Sequence, residues 1–252
     1  MTKRKLGKKP ARHDPRTYRL AAPLHYRLPQ PPAAINWAPN AVWPMWANDR
    51  LGCCTQVSVA SAILTWTGAA LTPITLAEAQ VIANYSAESG YVPGVPSTDQ
   101  GGVELDVLAR WCREGYERPG QTRDYLTAYG AVDPTDTASV NRAIAMLGGL
   151  YIGLQLPEFA CEGDGDWVVD PSFDNRIAGG HAVWIHGYDS EWLYLNTWGA
   201  ARRMSWSFFT TYCDEAYGLV SRQNWTTLRG VSPDAETPDD LVTELRASGA
   251  TS

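Results

Sequence analysis

The stretch GCCTQVSVASAILTW at residues 52–66 decides the interpretation of the fold. From Cys54 to about Trp66 its apolar and small residues fit a helix that is apolar nearly all round. A helix of that kind belongs in the middle of a domain. Gly52 is a natural break between loop and helix, so the pair Cys53 and Cys54 is expected at the first helical turn.

Cys54 is well placed for chemistry in this arrangement. A thiol attacks only as the thiolate, and an unperturbed cysteine has a pKa of about 8.5. The unpaired N–H groups and the dipole of a helix N-terminus favour the negative charge and lower that pKa. Position alone leaves a second interpretation open, because cysteine is among the most frequently buried residues and Cys54 could simply belong to the core.

The five cysteines predict neither a metal site nor a disulfide framework. They are odd in number and lack CxxC spacing, so a zinc site is not expected. No cofactor and no metal are expected. The cysteines are at positions 53, 54, 112, 161 and 213.

The order of the elements predicts an α+β domain in two halves. Further helices are expected at residues 75–89, 102–115 and 139–147, a strand at 149–156, and a strand, turn and strand at 181–198. The chain of 252 residues is therefore helical first and sheet-rich second. We place one domain at 28–232, with a helical half at about 46–130 and a β-rich half at about 131–232.

The two ends carry opposite charges. Residues 1–16 hold seven Lys or Arg against one Asp, and residues 233–252 hold five Asp or Glu against one Arg. We interpret 1–27 as a basic arm and 233–252 as an acidic tail. Such ends are either solvated or dock on a partner, which for the arm would be an acidic protein or nucleic acid.

The sequence gives no sign of export or of a membrane span. The basic start lacks the apolar run of a signal peptide, and the uncharged stretch 51–77 is interrupted by Thr, Ser, Gln, Gly and Pro. We therefore expect a cytoplasmic or virion-associated protein that does not bind membranes.

A hairpin within 181–198 brings a histidine and an amide together. With a turn centred near 188–190, His181 lies opposite residues 196–198, beside Asn196. An amide oxygen that accepts a ring N–H would fix the imidazole and leave its other nitrogen for a thiol. His186 is an odd number of residues from His181, so it points to the opposite face and is interpreted as structural or solvent-facing.

Several sequence blocks occur in the order found in one enzyme family. They are LPQPPAAINW (28–37), NDRLGCCTQVSVA (48–60), TDQGGVELDVLARW (98–111), RAIAMLGGLYIGLQL (142–156), GGHAVWIHGYD (179–189) and NTWG (196–199). In these blocks the chain resembles the papain-like cysteine peptidases, from Leu28 to about Val220. The GxCT variant and the short arm resemble papain-like proteins encoded by bacteria and their phages.

The resemblance implies a role for each matching residue. Cys54 corresponds to the nucleophile, His181 to its general acid and base, and Asn196 to the residue that orients the imidazole. Asn48, six residues before Cys54, corresponds to the oxyanion-hole side chain. The substrate-binding positions correspond to Gly101, Gly102, Gly180 and Trp198, and Trp198 would also shield the imidazole hydrogen bond from water.

The chain departs from the family pattern around the nucleophile. The oxyanion residue is usually Gln, and Asn48 is one methylene shorter. Cys53 replaces the usual Ser and is interpreted as a passive neighbour, with a redox thiol as the alternative. Thr55 replaces the usual aromatic residue after the nucleophile.

Two further departures lie outside the nucleophile block. The positions of the usual disulfide fall near Leu51 and Asp99, so that disulfide is not expected, as in a reducing compartment. The residues before Leu28 are also far fewer than the family's inhibitory prosegment, and the arm is expected at most to lie across the surface.

Two functional hypotheses follow from these observations. The first is a thiol hydrolase that cleaves peptide or isopeptide bonds of a protein substrate through a thioester, with acyl transfer to an amine as a variant. The second is a weakly active or inactive papain-fold binding or structural protein, such as a virion-associated component that assembles into a larger particle. The charged ends, the many Trp residues and Asn48 favour the second.

Overall fold

The structure is a computed structural model that describes residues 4–20, 30–221, 224 and 243. The predicted acidic tail at 233–252 lies outside the described residues except for Thr243, and so do residues 1–3 and 21–27 of the arm. Within the described part of the chain the α-helices are α1 Cys54–Ala69, α2 Glu78–Ser89, α3 Glu104–Glu114, α4 Thr137–Leu147, α5 Glu158–Glu162 and α6 Trp206–Tyr212.

The strands form one large sheet and one small one. They are β1 Tyr18–Arg19, β2 Ile35–Asn36, β3 Tyr116–Glu117, β4 Arg123–Asp124, β5 Ala128–Ala131, β6 Leu150–Pro157, β7 Ile177–Tyr188, β8 Trp192–Thr197, β9 Ala200–Ser205 and β10 Cys213–Val220. Among the described residues the large sheet has the order β1-β5-β10-β6-β7-β8-β9, with β2 paired to β7, and β3 pairs with β4. The predicted α+β class is confirmed.

Helix α1 is the central helix, as its composition predicts. All side chains from Cys54 to Thr67 are buried, and the helix packs against β7. The hydroxyls of Ser58, Ser61, Thr65 and Thr67 each donate to the carbonyl one turn earlier, so these four polar groups are satisfied without water. This explains how a helix with several hydroxyl groups can lie inside the core.

The β7–β8 hairpin has a different register from the predicted one. The turn lies between Tyr188 and Trp192, and a bulge between Ile185 and Gly187 shifts the pairing, so that Asn196 is opposite Trp184. Side chains alternate along a strand, and directly opposite residues share a face. The side chain of Asn196 therefore lies on the same face of the sheet as that of Trp184. His181, three residues before Trp184 in strand β7, has its side chain on the opposite face.

Candidate active site

Cys54 begins helix α1 at the junction of the two halves. Its Sγ accepts a hydrogen bond from the backbone N–H of Ala182, at 3.4 Å, and another from the N–H of Gly7. Ala182 directly follows His181, so the sulfur from the first half of the chain lies against the histidine strand from the second. The loop before the helix is held by Asp99, whose carboxylate accepts from the N–H of Gly52 at 3.0 Å.

His181 is buried with its two ring nitrogens in different surroundings. Nε2 lies 2.7 Å from Oγ1 of Thr197, whereas Nδ1 has no hydrogen-bond partner among the described residues. Trp198 stacks on the imidazole with 4.5 Å between the ring centroids and 14° between the planes. The ring is therefore covered on one face and anchored at one nitrogen, which leaves the other nitrogen for proton transfer.

The predicted hydrogen bond between His181 and Asn196 is wrong. The Nδ2 of Asn196 donates instead to Oγ of Ser61 in helix α1, at 2.7 Å. The cause is the hairpin register, because Asn196 shares the face of Trp184, whose Nε1 donates to Thr65 in the same helix. The sequence predicts residues 196–198 opposite His181, with the Asn196 amide as the partner of the imidazole. The hydroxyl of Thr197, the next residue, makes that contact instead.

Asn48 is buried in the loop before helix α1. Its exposed fraction is 1% and its Oδ1 has no hydrogen-bond partner among the described residues. The loop turns sharply just before it, since Trp46 and Ala47 both have positive φ angles, of 48° and 63°. Its assignment to an oxyanion hole stays a prediction.

The three predicted substrate-binding glycines line a groove that holds an extended backbone. That backbone belongs to the arm of the same chain. The N–H of Gly102 donates to the carbonyl of Gly7, the N–H of Lys9 donates to the carbonyl of Gly102, and the N–H of Lys8 donates to the carbonyl of Gly180, at 2.9–3.0 Å.

Side chains at these glycines would block the groove. A Cβ at Gly101 would overlap the carbonyl oxygen of Gly7, and a Cβ at Gly180 would overlap that of Lys8. Gly101 also has a φ of +71°, which favours glycine on conformational grounds. The groove is thus shaped for close backbone approach; the binding of a substrate backbone at these glycines stays a prediction.

The basic arm therefore does not merely lie across the surface as expected. Its described part lies along the groove. Its cations meet acidic side chains of the same chain: Arg4 pairs with Asp164, Lys5 with Asp99, Lys8 with Asp214 and Glu215, and Arg12 with Asp106. The predicted complementarity to acidic groups is satisfied within the chain. Docking of the arm on a separate acidic protein or nucleic acid stays a prediction.

The arm holds the cysteine and histidine in their neutral forms. Burial raises the pKa of Cys54 to about 11, although hydrogen bonds from the N–H groups of Ala182 and Gly7 lower it. Burial lowers the pKa of His181 to about 3, and the positive charges of Arg4 and Arg202 lower it further. The guanidinium of Arg4 lies over the ring of Trp198 at 4.7 Å. A thiolate–imidazolium pair is thus disfavoured while the arm is in place.

Cys53 is part of the core beside Cys54. Its side chain is fully buried, its Sγ lies 3.5 Å from the carbonyl oxygen of Trp46, and burial raises its pKa. These surroundings match the passive role expected for it. None of the five cysteines, all within the described residues, forms a disulfide. A hydrogen bond from the N–H of Gly52 to Asp99 connects the two segments that correspond to the family's usual disulfide.

His186 has structural contacts on the far side of the sheet. It is buried, its Nδ1 donates to Oδ1 of Asn36 at 3.0 Å, and its ring stacks on Trp43. This agrees with its predicted exclusion from the site.

The described residues show neither a metal-binding cluster nor a helix suited to a membrane. No group of three or more His, Cys, Asp or Glu side chains within the described ranges is arranged to hold a metal ion. No helix in those ranges has the length and apolar character that crossing a bilayer requires.

Solved structures show which class of protein has this fold. Xylellain, a cysteine protease from Xylella fastidiosa, aligns with a TM-score of 0.66 at 16% identity, over 86% of this chain and 96% of its own. A cysteine protease of Carica candamarcensis in complex with E-64 aligns with a TM-score of 0.55 at 15% identity, over 75% of this chain and 98% of its own. Digestive procathepsin L 3 of Tenebrio molitor larval midgut aligns with a TM-score of 0.57 at 17% identity, over 83% and 75%.

The chain therefore has the fold of the papain-like cysteine proteases, as its sequence blocks predicted. No family model and no curated protein matches the sequence. At these identities the likeness concerns the fold, and the chemistry has to be argued from the residues of this chain.

Proposed function

We propose that this protein is a papain-like cysteine peptidase whose own arm keeps it latent. One observation carries the proposal: Sγ of Cys54, at a helix N-terminus, accepts the N–H of Ala182, the residue after His181, whose imidazole has one nitrogen beside Oγ1 of Thr197 and one without a partner among the described residues. A nucleophile beside a base, with the base oriented by a third group, is the arrangement that activated thiols require.

The proposed reaction uses His181 twice. The imidazole takes the thiol proton, and the Cys54 thiolate attacks the carbonyl carbon of a peptide or isopeptide bond. The backbone N–H of Cys54, with Asn48 as the predicted side-chain donor, stabilises the oxyanion. The intermediate collapses to a thioester as the imidazolium protonates the leaving amine, and His181 then activates water to release the acid. Entry of an amine in place of water would give acyl transfer.

The arm occupies the groove in which a substrate would have to lie. The backbone N–H of Gly7 lowers the pKa of Cys54, and the carbonyl oxygen of Gly7 accepts from the N–H of Gly102. Displacement of the arm would admit substrate, return water to the site and relieve the burial that keeps the thiol and the imidazole neutral.

A second candidate is a papain-fold binding or structural protein without turnover. The observation that favours it is the complete burial of both Cys54 and His181 beneath the arm, at 0% exposure each. If the arm is never displaced, the pair stays neutral and inert. A virion-associated setting remains part of this second hypothesis.

Cleavage of a diverse peptide library by the full chain tests the two candidates. We expect cleavage by Gly7→Ala, in which the arm is loosened, and little cleavage by the latent wild type; adding His181→Ala or Cys54→Ala to Gly7→Ala should abolish it, while circular dichroism shows that the variants keep the fold. An epoxide inhibitor of cysteine peptidases should add one mass equivalent to Gly7→Ala and none when Cys54→Ala is added. No cleavage and no labelling of folded Gly7→Ala would favour the binding protein.

A further inference from the structure

The side chain of Lys8 fills an acidic pocket beside the cleft. The side chain has no exposed surface, and its Nζ lies 2.9 Å from the Asp214 carboxylate and 2.9 Å from Oε1 of Glu215. The pocket is deep because Gly153 lies behind it, where a Cβ would overlap the Lys8 side chain. A lysine normally keeps its ammonium group in water, so its full burial requires a site built for a cation.

The acidic groups are held in place by the fold. The hydroxyl of Tyr217 donates to Oε2 of Glu215 at 2.9 Å, and Nε2 of Gln155 donates to Asp214 at 2.6 Å. These contacts do not involve the arm, so the carboxylates stay in position whether or not Lys8 is present. The pocket is therefore preformed.

Glu104 gives an independent indication that the pocket needs a cation. This first residue of helix α3 is 0% exposed, and neither carboxylate oxygen has a hydrogen-bond partner among the described residues. Burial and the nearby Glu215 raise its pKa, and Lys8 lowers it. Burial by itself would lower the pKa of Lys8, yet Glu104 and Glu215 leave it raised. Without a cation this pocket would bury several acidic groups with nothing to neutralise them.

We infer that the pocket formed by Glu104, Asp214 and Glu215 selects substrates by a lysine or arginine side chain. The inference rests on the proposed peptidase function. The backbone of Lys8 is hydrogen-bonded to Gly180 and is flanked by the two bonds to Gly102, which line the groove predicted for substrate. A substrate residue that takes this place in the groove sends its side chain into the same pocket. Lys8 holds the place of that residue until the arm leaves.

The test compares peptides that differ in one side chain. The probes are blocked hexapeptides with Lys, Arg, norleucine or Glu at each of three successive positions. Binding is measured by calorimetry on the full chain carrying Lys8→Met, which removes the competing ammonium group, Gly7→Ala, which displaces the arm, and Cys54→Ala, which prevents turnover. Cleavage is measured with Lys8→Met and Gly7→Ala. At one position, Lys or Arg should bind at least about tenfold more tightly than norleucine, because a buried charge-assisted contact is worth that much.

The pocket acids should account for the preference. Glu215→Gln should bring the ratio of Lys to norleucine affinities close to one, whereas Glu162→Gln, which changes an exposed carboxylate, should leave it unchanged. Equal or better binding of norleucine at all three positions, or no binding of any peptide, would overturn the inference. So would an undiminished Lys preference in folded Glu215→Gln. If Glu215→Gln does not fold, the comparison of Lys with norleucine decides alone.

The experiment distinguishes an error in the proposed specificity of the pocket from an error in the proposed peptidase activity. Lys-selective binding without cleavage by any Lys8→Met preparation would refute the proposed catalysis and keep the pocket. Efficient cleavage with a preference for norleucine would keep the catalysis and refute the pocket.

Discussion

The orientation of the His181 imidazole depends on a single hydroxyl group. Oγ1 of Thr197 lies 2.7 Å from Nε2, and Trp198 covers the ring, so this contact is shielded from water. In the proposed reaction the imidazole becomes positively charged; both of its nitrogens are then donors, and a partner at Nε2 stabilises the charged form. Under that proposal Thr197 is a positioning residue, whereas Asn196 supports helix α1.

We predict that Thr197→Val lowers kcat/KM by about 10- to 100-fold, the effect of one hydrogen bond to a charged group. Valine keeps the shape of threonine and removes only the hydroxyl. The measurement is the turnover of the best library peptide, in an arm-loosened background such as Gly7→Ala.

Asn196→Ala is the matched control for this prediction. It removes the bond to Ser61 and should lower the melting temperature with little effect on kcat/KM of the folded protein. The reverse pattern, with activity lost in Asn196→Ala and kept in Thr197→Val, would return the orienting role to the amide.

At the scale of elements, the most local features were predictable from sequence. The helix from Cys54 and the strand at 149–156 follow from composition and alternation, and the structure has them at Cys54–Ala69 and Leu150–Pro157. The hairpin partners were not predictable, because the bulge after Ile185 changes the register and the choice of face with it. The one residue inserted at this bulge determines that Thr197, and not Asn196, contacts the imidazole of His181.

Helix α2 carries a half-buried carboxyl group beside Gly102 of the groove. One oxygen of Glu88, near the end of α2, has no hydrogen-bond partner among the described residues, and a Cβ at Gly102 would lie 2.8 Å from it. Burial raises the pKa of Glu88 to about 7, although a hydrogen bond with Gln56 lowers it. The negative dipole end of the helix disfavours the carboxylate as well.

We predict that Glu88→Gln stabilises the protein at pH 8, by about 1–2 kcal/mol in the free energy of unfolding after allowance for partial solvent access. The folded state binds the Glu88 proton up to a pKa of about 7 and the unfolded state only to about 4.5. Wild-type stability therefore falls as the pH rises between these values, and the cost is complete above pH 7. Glutamine is neutral throughout.

Melting temperatures at pH 5 and pH 8 measure this effect. The gain of Glu88→Gln over wild type should be large at pH 8 and small at pH 5. Glu162→Gln, at an exposed position, should change stability by less than about 0.5 kcal/mol at both values. An equal gain at the two pH values would show that packing, and not charge, is responsible.

At the scale of the whole molecule, the arm joins the two halves across the cleft. Its position was not predictable, because the ion pairs that join it to the rest of the chain connect residues far apart in the sequence, such as Lys8 with Asp214 and Glu215. The excess of positive charge at the start was visible, but its partners are scattered along the chain. Only folding brings Asp99, Asp164 and Asp214 to one groove.

The arm can follow this path only because residue 7 has no side chain. A Cβ there would overlap the backbone carbonyl of Gly52, which precedes helix α1 and cannot move aside without disturbing Cys54. Gly7 also places its N–H on the Cys54 sulfur. We therefore expect Gly7→Ala to displace the arm while the domain stays folded, since the substitution removes no contact from helix α1 to the sheet.

Alkylation of Cys54 by iodoacetamide, followed by mass spectrometry, tests this expectation. In wild type, burial keeps the pKa of Cys54 at about 11, so alkylation should be slow at pH 8. Displacement of the arm returns water to the sulfur and lowers that pKa, because burial is its largest cause; the thiolate fraction and the rate at pH 8 should rise by about tenfold or more. Gly68→Ala is the matched control, since nothing lies within 4 Å of a Cβ at Gly68. It should alkylate at the wild-type rate, and an equally slow reaction in Gly7→Ala would mean that the arm does not control access to the thiol.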